Sequence, residues 1–429
     1  MNRPSVVFLE KLATVLVIMA FGGSVLPVML TSGKAVPVEA ESSGVMILFA
    51  GIYVVILALV MSRPWVAARI ATISPLLSAL VLLTFVSALW SLFPDVTLRR
   101  ALALLFTTVF GVYLAVRWPM EETVAMLVTA LGLLVLLSFV FVAALPEVGI
   151  DQNIHRGAWK GVFFQKNVTG RMMVWLILGL LWLGWIGYGP RLLRWGMLAL
   201  AVVLLVMCRS GTGLLASGLV FGVMVAARLL RGEARALVPV VAGAAFAVVV
   251  IGVSAATNYK DVLFMLGRDA TLTGRTELWA HTWYMLQDQF VLGYGFGAYW
   301  YDAFGPASVF IHDWGINQAH NGWLELLLDV GLPGLVLMLL LVGRLILGSL
   351  ALARYGGERG AREAAWILAV TCGVLAISMS ESVFLERHSL NWVVLTIALV
   401  RVALLRRPAW TARPATPAPA VNHCAGIAT

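Results

Sequence analysis

The sequence predicts an all-α integral membrane protein, and three observations carry that prediction. Of 429 residues, 61% are hydrophobic and only 12% are charged, where an ordinary soluble domain carries about 25% charged residues. Mean hydropathy is +0.94. Apolar residues run uninterrupted, as from Leu131 to Phe141, rather than alternating with polar ones as strands of an outer-membrane barrel do. Soluble globular folds are thereby excluded. A bilayer core roughly 30 Å thick takes about 20 apolar residues per helical crossing, so the chain has room for about a dozen crossings.

Taken in order, apolar segments between charged or Pro/Gly-rich breaks fall at 12–30, 44–61, 73–90, 101–116, 124–145, 172–187, 195–208, 213–227, 237–254, 324–343, 364–382 and 389–405. They predict about twelve transmembrane helices in one membrane domain over residues 1–407. The first follows Arg3 and Lys11, and Val38-Glu39-Ala40 after it only faintly resembles a peptidase site. Its 19 apolar residues favour a retained helix. Residues 408–429 read as a disordered cytoplasmic tail, Pro/Ala/Thr-rich from Pro408 to Ala420. No period of 20–50 residues and no two-half symmetry is evident.

Net charge is +9, from 30 Lys+Arg against 21 Asp+Glu. With both termini cytoplasmic, 18 of the 30 basic residues fall on the inner side, among them Arg63, Arg69, Arg191, Arg194, Arg228, Arg231, Arg235, Arg406 and Arg407. That asymmetry sets the orientation. The basic excess follows loop topology, so nucleic acid is not expected as a partner. Twenty-five of the 30 cations are Arg, whose planar fork suits phosphate bidentately. Cys208, Cys372 and Cys424 are too scattered for a disulfide framework or a metal site.

The remaining 12 cations lie outside, where insertion disfavours them, and Arg99, Arg100, Arg156, Lys166, Arg171, Arg209, Arg268 and Arg275 gather near span ends. Lipid headgroups account for any one of them. An anionic ligand at the outer face accounts better for the set. The long extramembrane stretches, 146–171 and 255–323, lie on that same side.

Within the second stretch, residues 273–290 predict an interfacial helix, with Leu278, Trp279, Trp283, Leu286 and Phe290 on one face and Glu277, His281 and Asp288 on the other. Arg275 opens it beside Gly274, where a helix start and a guanidinium would both face an anion. Gly293-Tyr294-Gly295-Phe296-Gly297 follows no strand, so it reads as a tight turn that admits close backbone approach. His320-Asn321 runs directly into a span interrupted by Gly331-Leu332-Pro333-Gly334. A neutral imidazole there can accept a proton. His312-Asp313 is a neighbouring candidate pair. Asp329 lies a turn or two into that span, where a charge requires a cavity or a partner. No Asp-x-Asp, His-x-x-x-His or Cys pair suggests a metal.

Several motifs in order resemble the O-antigen ligase and exopolysaccharide polymerase family of bacterial inner membranes, from about Leu89 to Val400. They are the Trp90–Ala101 stretch with Arg99 and Arg100, the Arg156–Asn167 stretch ending in Lys166-Asn167, Arg209-Ser210-Gly211-Thr212-Gly213, Gly274-Arg275 with the later Gly-rich turn, and His320-Asn321 followed by Glu325 and Gly331. Glu381-Ser382 with Arg387 and Trp392 resembles the polymerase branch in particular.

The resemblance implies a GT-C-like membrane glycosyltransferase that takes a glycan from a polyprenyl-diphosphate carrier at the periplasmic face and transfers it by inversion to an acceptor sugar hydroxyl, without cofactor or metal. It implies Arg209 and Arg275 on the diphosphate and His320 as base. Arg156, Lys166, Asn167, Arg99, Arg100, Asn321, Glu381 and Arg387 are the expected substrate-binding set. Expected partners are the lipid-linked glycan, an acceptor glycan, membrane lipids and other polysaccharide assembly proteins. Repeat polymerase is the favoured reading and O-antigen ligase the close alternative. A transporter or flippase would place ionisable residues near midplane, whereas here they sit mainly at span ends. A structural scaffold would not need the outer arginines.

Overall fold

The computed structural model describes residues 4–23, 43–152, 155–230, 243, 275–301, 305–308, 311 and 316–405. The span expected at 237–254, the stretch 255–274, His312-Asp313 and the tail lie outside the described residues. Among the described residues there is no strand, only an isolated bridge between Ile150 and Trp159.

The helices are α1 (Pro4–Phe21), α2 (Ser43–Met61), α3 (Pro64–Ile73), α4 (Pro75–Val86), α5 (Pro94–Arg117), α6 (Met120–Ala144), α7 (Lys166–Ile186), α8 (Arg191–Met207), α9 (Gly211–Leu229), α10 (Arg275–Leu286), α11 (Gly322–Tyr355), α12 (Gly357–Ser378) and α13 (Leu390–Leu405). Eight of them are long and apolar enough to cross a membrane, α1, α2, α5, α6, α7, α9, α11 and α12. Apart from the first, the expected spans within the described residues coincide with helices. The chain is an all-α, multi-pass membrane protein.

Element ends follow local chemistry. Pro64, Pro75 and Pro94 occupy first helical positions, where a missing N–H costs nothing. The first helix is a correction: the expected 12–30 span is instead Pro4–Phe21, because Gly22 and Gly23 follow it and Gly23 adopts the left-handed conformation that ends a helix. Charged Glu10 and Lys11 are thus inside the helix rather than before it.

Inner and outer helices differ in burial. α12, α7 and α5 are mostly enclosed, whereas α1, α2 and α11 present large apolar side chains outward, such as Ile47, Val54 and Leu339. Such a surface suits lipid. Small residues let the inner helices approach closely: a Cβ on Gly213 of α9 would stand 2.7 Å from Gly170 Cα of α7.

One end of the bundle is tied by buried ion pairs. Glu10 of α1 receives Arg117 Nε at 2.7 Å, Arg63 Nη2 at 2.7 Å and the Tyr113 hydroxyl at 2.8 Å. Arg63 follows α2 and Arg117 closes α5, so the start of α1 and the ends of α2 and α5 share that face. Glu363 of α12 lies 3.5 Å from Arg401 Nε of α13 at the same end.

Removing the shared carboxylate leaves two guanidiniums uncompensated in a poorly hydrated place. Glu10→Ala is therefore expected to cost roughly 3–5 kcal/mol, read as a lowered melting temperature in detergent; an unchanged melting temperature would contradict the assignment.

Candidate active site

At the opposite end a cavity of about 600 Å³ opens. Its frame is the end of α1, the starts of α5, α7 and α11, the loop between α12 and α13, and the Gly-rich turn. With alternate helices running in opposite directions, these ends all belong to one face.

The Gly-rich turn and a break in α11 fit into each other. Gly331 leaves helical geometry at φ 62° and ψ −158°, and a Cβ there would stand 2.2 Å from Val291 O. Gly293, at φ 71°, would place a Cβ 2.7 Å from Leu328 O. Any side chain at either position would drive the segments apart. Backbone groups released by the break are satisfied across the junction, Tyr294 N donating to Leu328 O at 2.7 Å and Leu332 N to Val291 O at 3.1 Å. Asp329 accepts from Gly297 N at 2.8 Å, and Arg100 donates to Gly297 O. The turn expected from the sequence is present, and Asp329 has its partner.

The start of α11 fixes His320. Asn321 is the N-cap, its Oδ1 accepting from Trp323 N at 3.0 Å and Leu324 N at 3.2 Å. Glu325 reaches back to accept from Ala319 N at 2.7 Å and also accepts from the Ser382 hydroxyl at 3.0 Å. Trp279 of α10 donates to Ala319 O at 2.8 Å. Clamped on both sides, His320 is held at φ 49°, a region that non-glycine residues rarely occupy.

Behind His320 lies Glu381, whose side chain has no exposed surface. Its Oε1 accepts from Asn167 Nδ2 at 2.8 Å and from Arg275 Nη2 at 3.2 Å, and its Oε2 lies 3.6 Å from His320 Nδ1. Burial alone would raise the Glu381 pKa, but His320, Arg171 and Arg275 outweigh it and lower the carboxyl from 4.5 to about 2. A second cluster joins Arg171 to Glu386 at 3.4 Å, with Glu386 also accepting from Ser389 Oγ at 2.5 Å and Asn391 Nδ2 at 2.9 Å.

Of the expected site residues, Arg275, His320, Asn167, Arg100 and Arg387 line this one cavity. The others do not. Arg209 is exposed in the turn between α8 and α9, at φ 51°, with its guanidinium beside Gly157 rather than on the wall. Arg156 and Arg99 are likewise exposed, and Lys166 is half-buried at the start of α7 off the wall. Asn321 spends its side-chain oxygen as a cap, and Glu381 is buried beneath the lining. On α10, Leu278, Thr282 and Leu286 are buried, while Trp283 and Tyr284 of the expected interfacial helix face outward. Thr282 can be buried because its hydroxyl donates to Leu278 O at 2.6 Å.

Sequence reasoning placed Arg171 only among the cations gathered near span ends and Glu325 only in the His320 motif, and it left the lining residues Glu386, His155 and His388 unassigned. Arg171 follows Asn167 by one helical turn, a spacing that places both on one face. His388 is committed elsewhere, bonded to the Tyr53 hydroxyl and stacked on Phe49 at 3.6 Å between centroids. Burial pushes its pKa well below the ordinary value. The His155 pKa is also lowered, by burial and then by Lys166.

The wall thus carries four guanidiniums, from Arg100, Arg171, Arg275 and Arg387, with three carboxylates, Glu325, Asp329 and Glu386. Each carboxylate is already engaged by the fold. Arg387 makes no ion pair among the described residues. An anion with several oxygens could be held there by charge-assisted bonds. No group of three or more metal-ligating side chains is found among the described residues.

Known proteins bear on this geometry. Residues 196–339 match the O-antigen ligase family model. A relative, the exopolysaccharide production protein ExoQ of Rhizobium meliloti (strain 1021), is 28% identical over 159 residues. That match covers 35% of this chain and 37% of the relative's length. The resemblance read from the motifs to the O-antigen ligase and exopolysaccharide polymerase family holds on these matches, and the family segment contains Arg209, Arg275, His320 and Glu325.

Because the folded pKa of Glu381 lies below 4.5, its stabilising effect is complete above that value and is lost as pH falls toward about 2. The melting-temperature gap between wild type and Glu381→Gln is expected to be widest near neutral pH and to close in acid. A gap that does not vary with pH would contradict the pairing.

Proposed function

Proceeding from that family segment, we propose that the chain is a membrane glycosyltransferase acting on a polyprenyl-diphosphate-linked glycan at the outer face of a bacterial inner membrane. The observation that carries the reading is the convergence of Arg275, Arg171, Arg387 and His320 on one cavity at one end of the bundle. A diphosphate is the anion such a set suits, and the apolar wall at Phe21, Val168 and Met172 suits the first isoprenes of its carrier. Arg209, Arg156 and Arg99, outside the cavity, draw anionic carrier and headgroups toward it rather than holding the reacting phosphates.

In the reaction, the acceptor hydroxyl oxygen bonds to the anomeric carbon as the bond from that carbon to the diphosphate oxygen breaks. The electron pair leaves with the diphosphate, where fixed guanidiniums meet the growing charge. The hydroxyl proton passes to His320 and then to water through the open cavity. One displacement inverts the anomeric centre. The charge stabilisation that a metal could supply is assigned here to arginine.

Repeat polymerisation is the favoured form, in keeping with the printed role of the ExoQ relative in exopolysaccharide production. Ligation of finished polymer is the second form, in keeping with the family description. In a deletion strain, short repeats left on lipid would indicate a lost polymerase, and full-length polymer stranded on its carrier a lost ligase.

With reconstituted protein and lipid-linked oligosaccharide, His320→Ala is expected to slow transfer by about 10²–10⁴-fold, and Arg275→Ala to abolish it while insertion persists. Chelator should have no effect. Glycan carried across the vesicle without a new glycosidic bond would contradict the reading and favour a transporter.

A further inference from the structure

His320 and Glu381 meet below the cavity rather than on its wall. The imidazole lines the cavity, yet its Nδ1 is buried 3.6 Å from Glu381 Oε2, and among the described residues neither atom has a hydrogen-bond partner. Nε2 is therefore the ring nitrogen left to meet a substrate. The other carboxylate oxygen is fixed by Asn167 and Arg275. Asn167 is itself braced by the Ser210 hydroxyl, donating to its Oδ1 at 3.3 Å, so the carboxylate is tied to α7 and the α8–α9 turn.

We infer that Glu381 is a positioning residue for His320, holding the imidazole with its proton on Nδ1 so that Nε2 is the basic nitrogen turned toward the acceptor hydroxyl. The inference rests on the glycosyl-transfer reading above. Two nitrogens of a neutral imidazole compete for one proton, and a carboxylate beside Nδ1 decides the competition. Once Nε2 takes the hydroxyl proton, the imidazolium faces a full negative charge rather than a desolvated wall. The 3.6 Å separation is longer than a hydrogen bond and shortens as that charge forms.

Arg275 gives the pair a second property. It shares Glu381 with His320, on opposite oxygens. A diphosphate that draws Arg275 toward itself weakens the competing cation and leaves more of the carboxylate's field to the imidazole. Donor binding thus raises the basicity of His320 before the acceptor reacts. The charged groups facing this pair are Arg171 from α7, Arg275 from α10 and Glu325 from α11, the last through Ser382 in the α12–α13 loop.

The test needs no substrate. Full-length protein in detergent is treated with diethyl pyrocarbonate, which acylates neutral imidazole, and modification of the His320 peptide is followed by mass spectrometry across pH. In Glu381→Gln the midpoint is expected to move to lower pH by about one unit, a tenfold change in the protonation equilibrium. Glu381→Asp, which keeps the charge on a shorter arm, should fall between and serves as the test if Glu381→Gln does not fold. An unmoved midpoint in whichever variant folds overturns the inference. Failure of the underlying reading has a separate signature: His320→Ala would retain transfer while the titration still shifted.

Discussion

A carboxylate with no access to water keeps its charge only where cations and donors surround it, and one end of this bundle is organised around such a group. Glu381 joins α7 through Asn167, α10 through Arg275 and the start of α11 through His320. Those connections bring together residues separated by more than two hundred positions in the chain. Breaking a buried pair by removing one partner commonly costs about 3–5 kcal/mol, so the cluster is a structural tie as well as a piece of chemistry. The opposite end uses the same device with Glu10 and its two arginines. What distinguishes the Glu381 end is the cavity, on whose wall Arg387 makes no ion pair among the described residues.

Backbone geometry makes room for that cavity. The helix carrying His320 is broken at Gly331, and the Gly-rich turn fills the break with its own main chain. Asp329 and Arg100 then bond the turn rather than facing lipid, which satisfies two charged groups in a setting where they would otherwise be expensive. His320 and Arg209 both adopt left-handed backbone conformations, at 49° and 51°. At His320 the capping by Asn321 and the reach of Glu325 hold the residue in place, and the reward is an imidazole fixed over a buried carboxylate.

Much of this was legible in the sequence, for identifiable reasons. Uninterrupted apolar runs announced the spans, because period and length follow from bilayer thickness alone. Outer arginines stood out because insertion disfavours them, and the three glycines at 293, 295 and 297 announced a close backbone approach. Other features depended on tertiary placement. Arg209 and Arg275 look equivalent as lone arginines at segment ends, yet one lies outside on a turn and the other points inward, since only folding sets the direction of a side chain at a loop. Asn321 next to His320 looked like a second ligand, when its position before a helix made it a cap. The pairing of Arg171 with Glu386 was hidden because a partner 215 residues away is invisible to spacing arguments.

The central claim is that guanidiniums in a single outward cavity receive a diphosphate-linked lipid. A structure of the protein with a polyprenyl-diphosphate glycan tests it most directly. The account predicts both phosphates within hydrogen-bonding distance of Arg275, with Arg171 or Arg387 alongside, and the anomeric carbon turned toward His320. Phosphates bound on the outer surface at Arg209 and Arg156, with the cavity holding no part of the ligand, would contradict it.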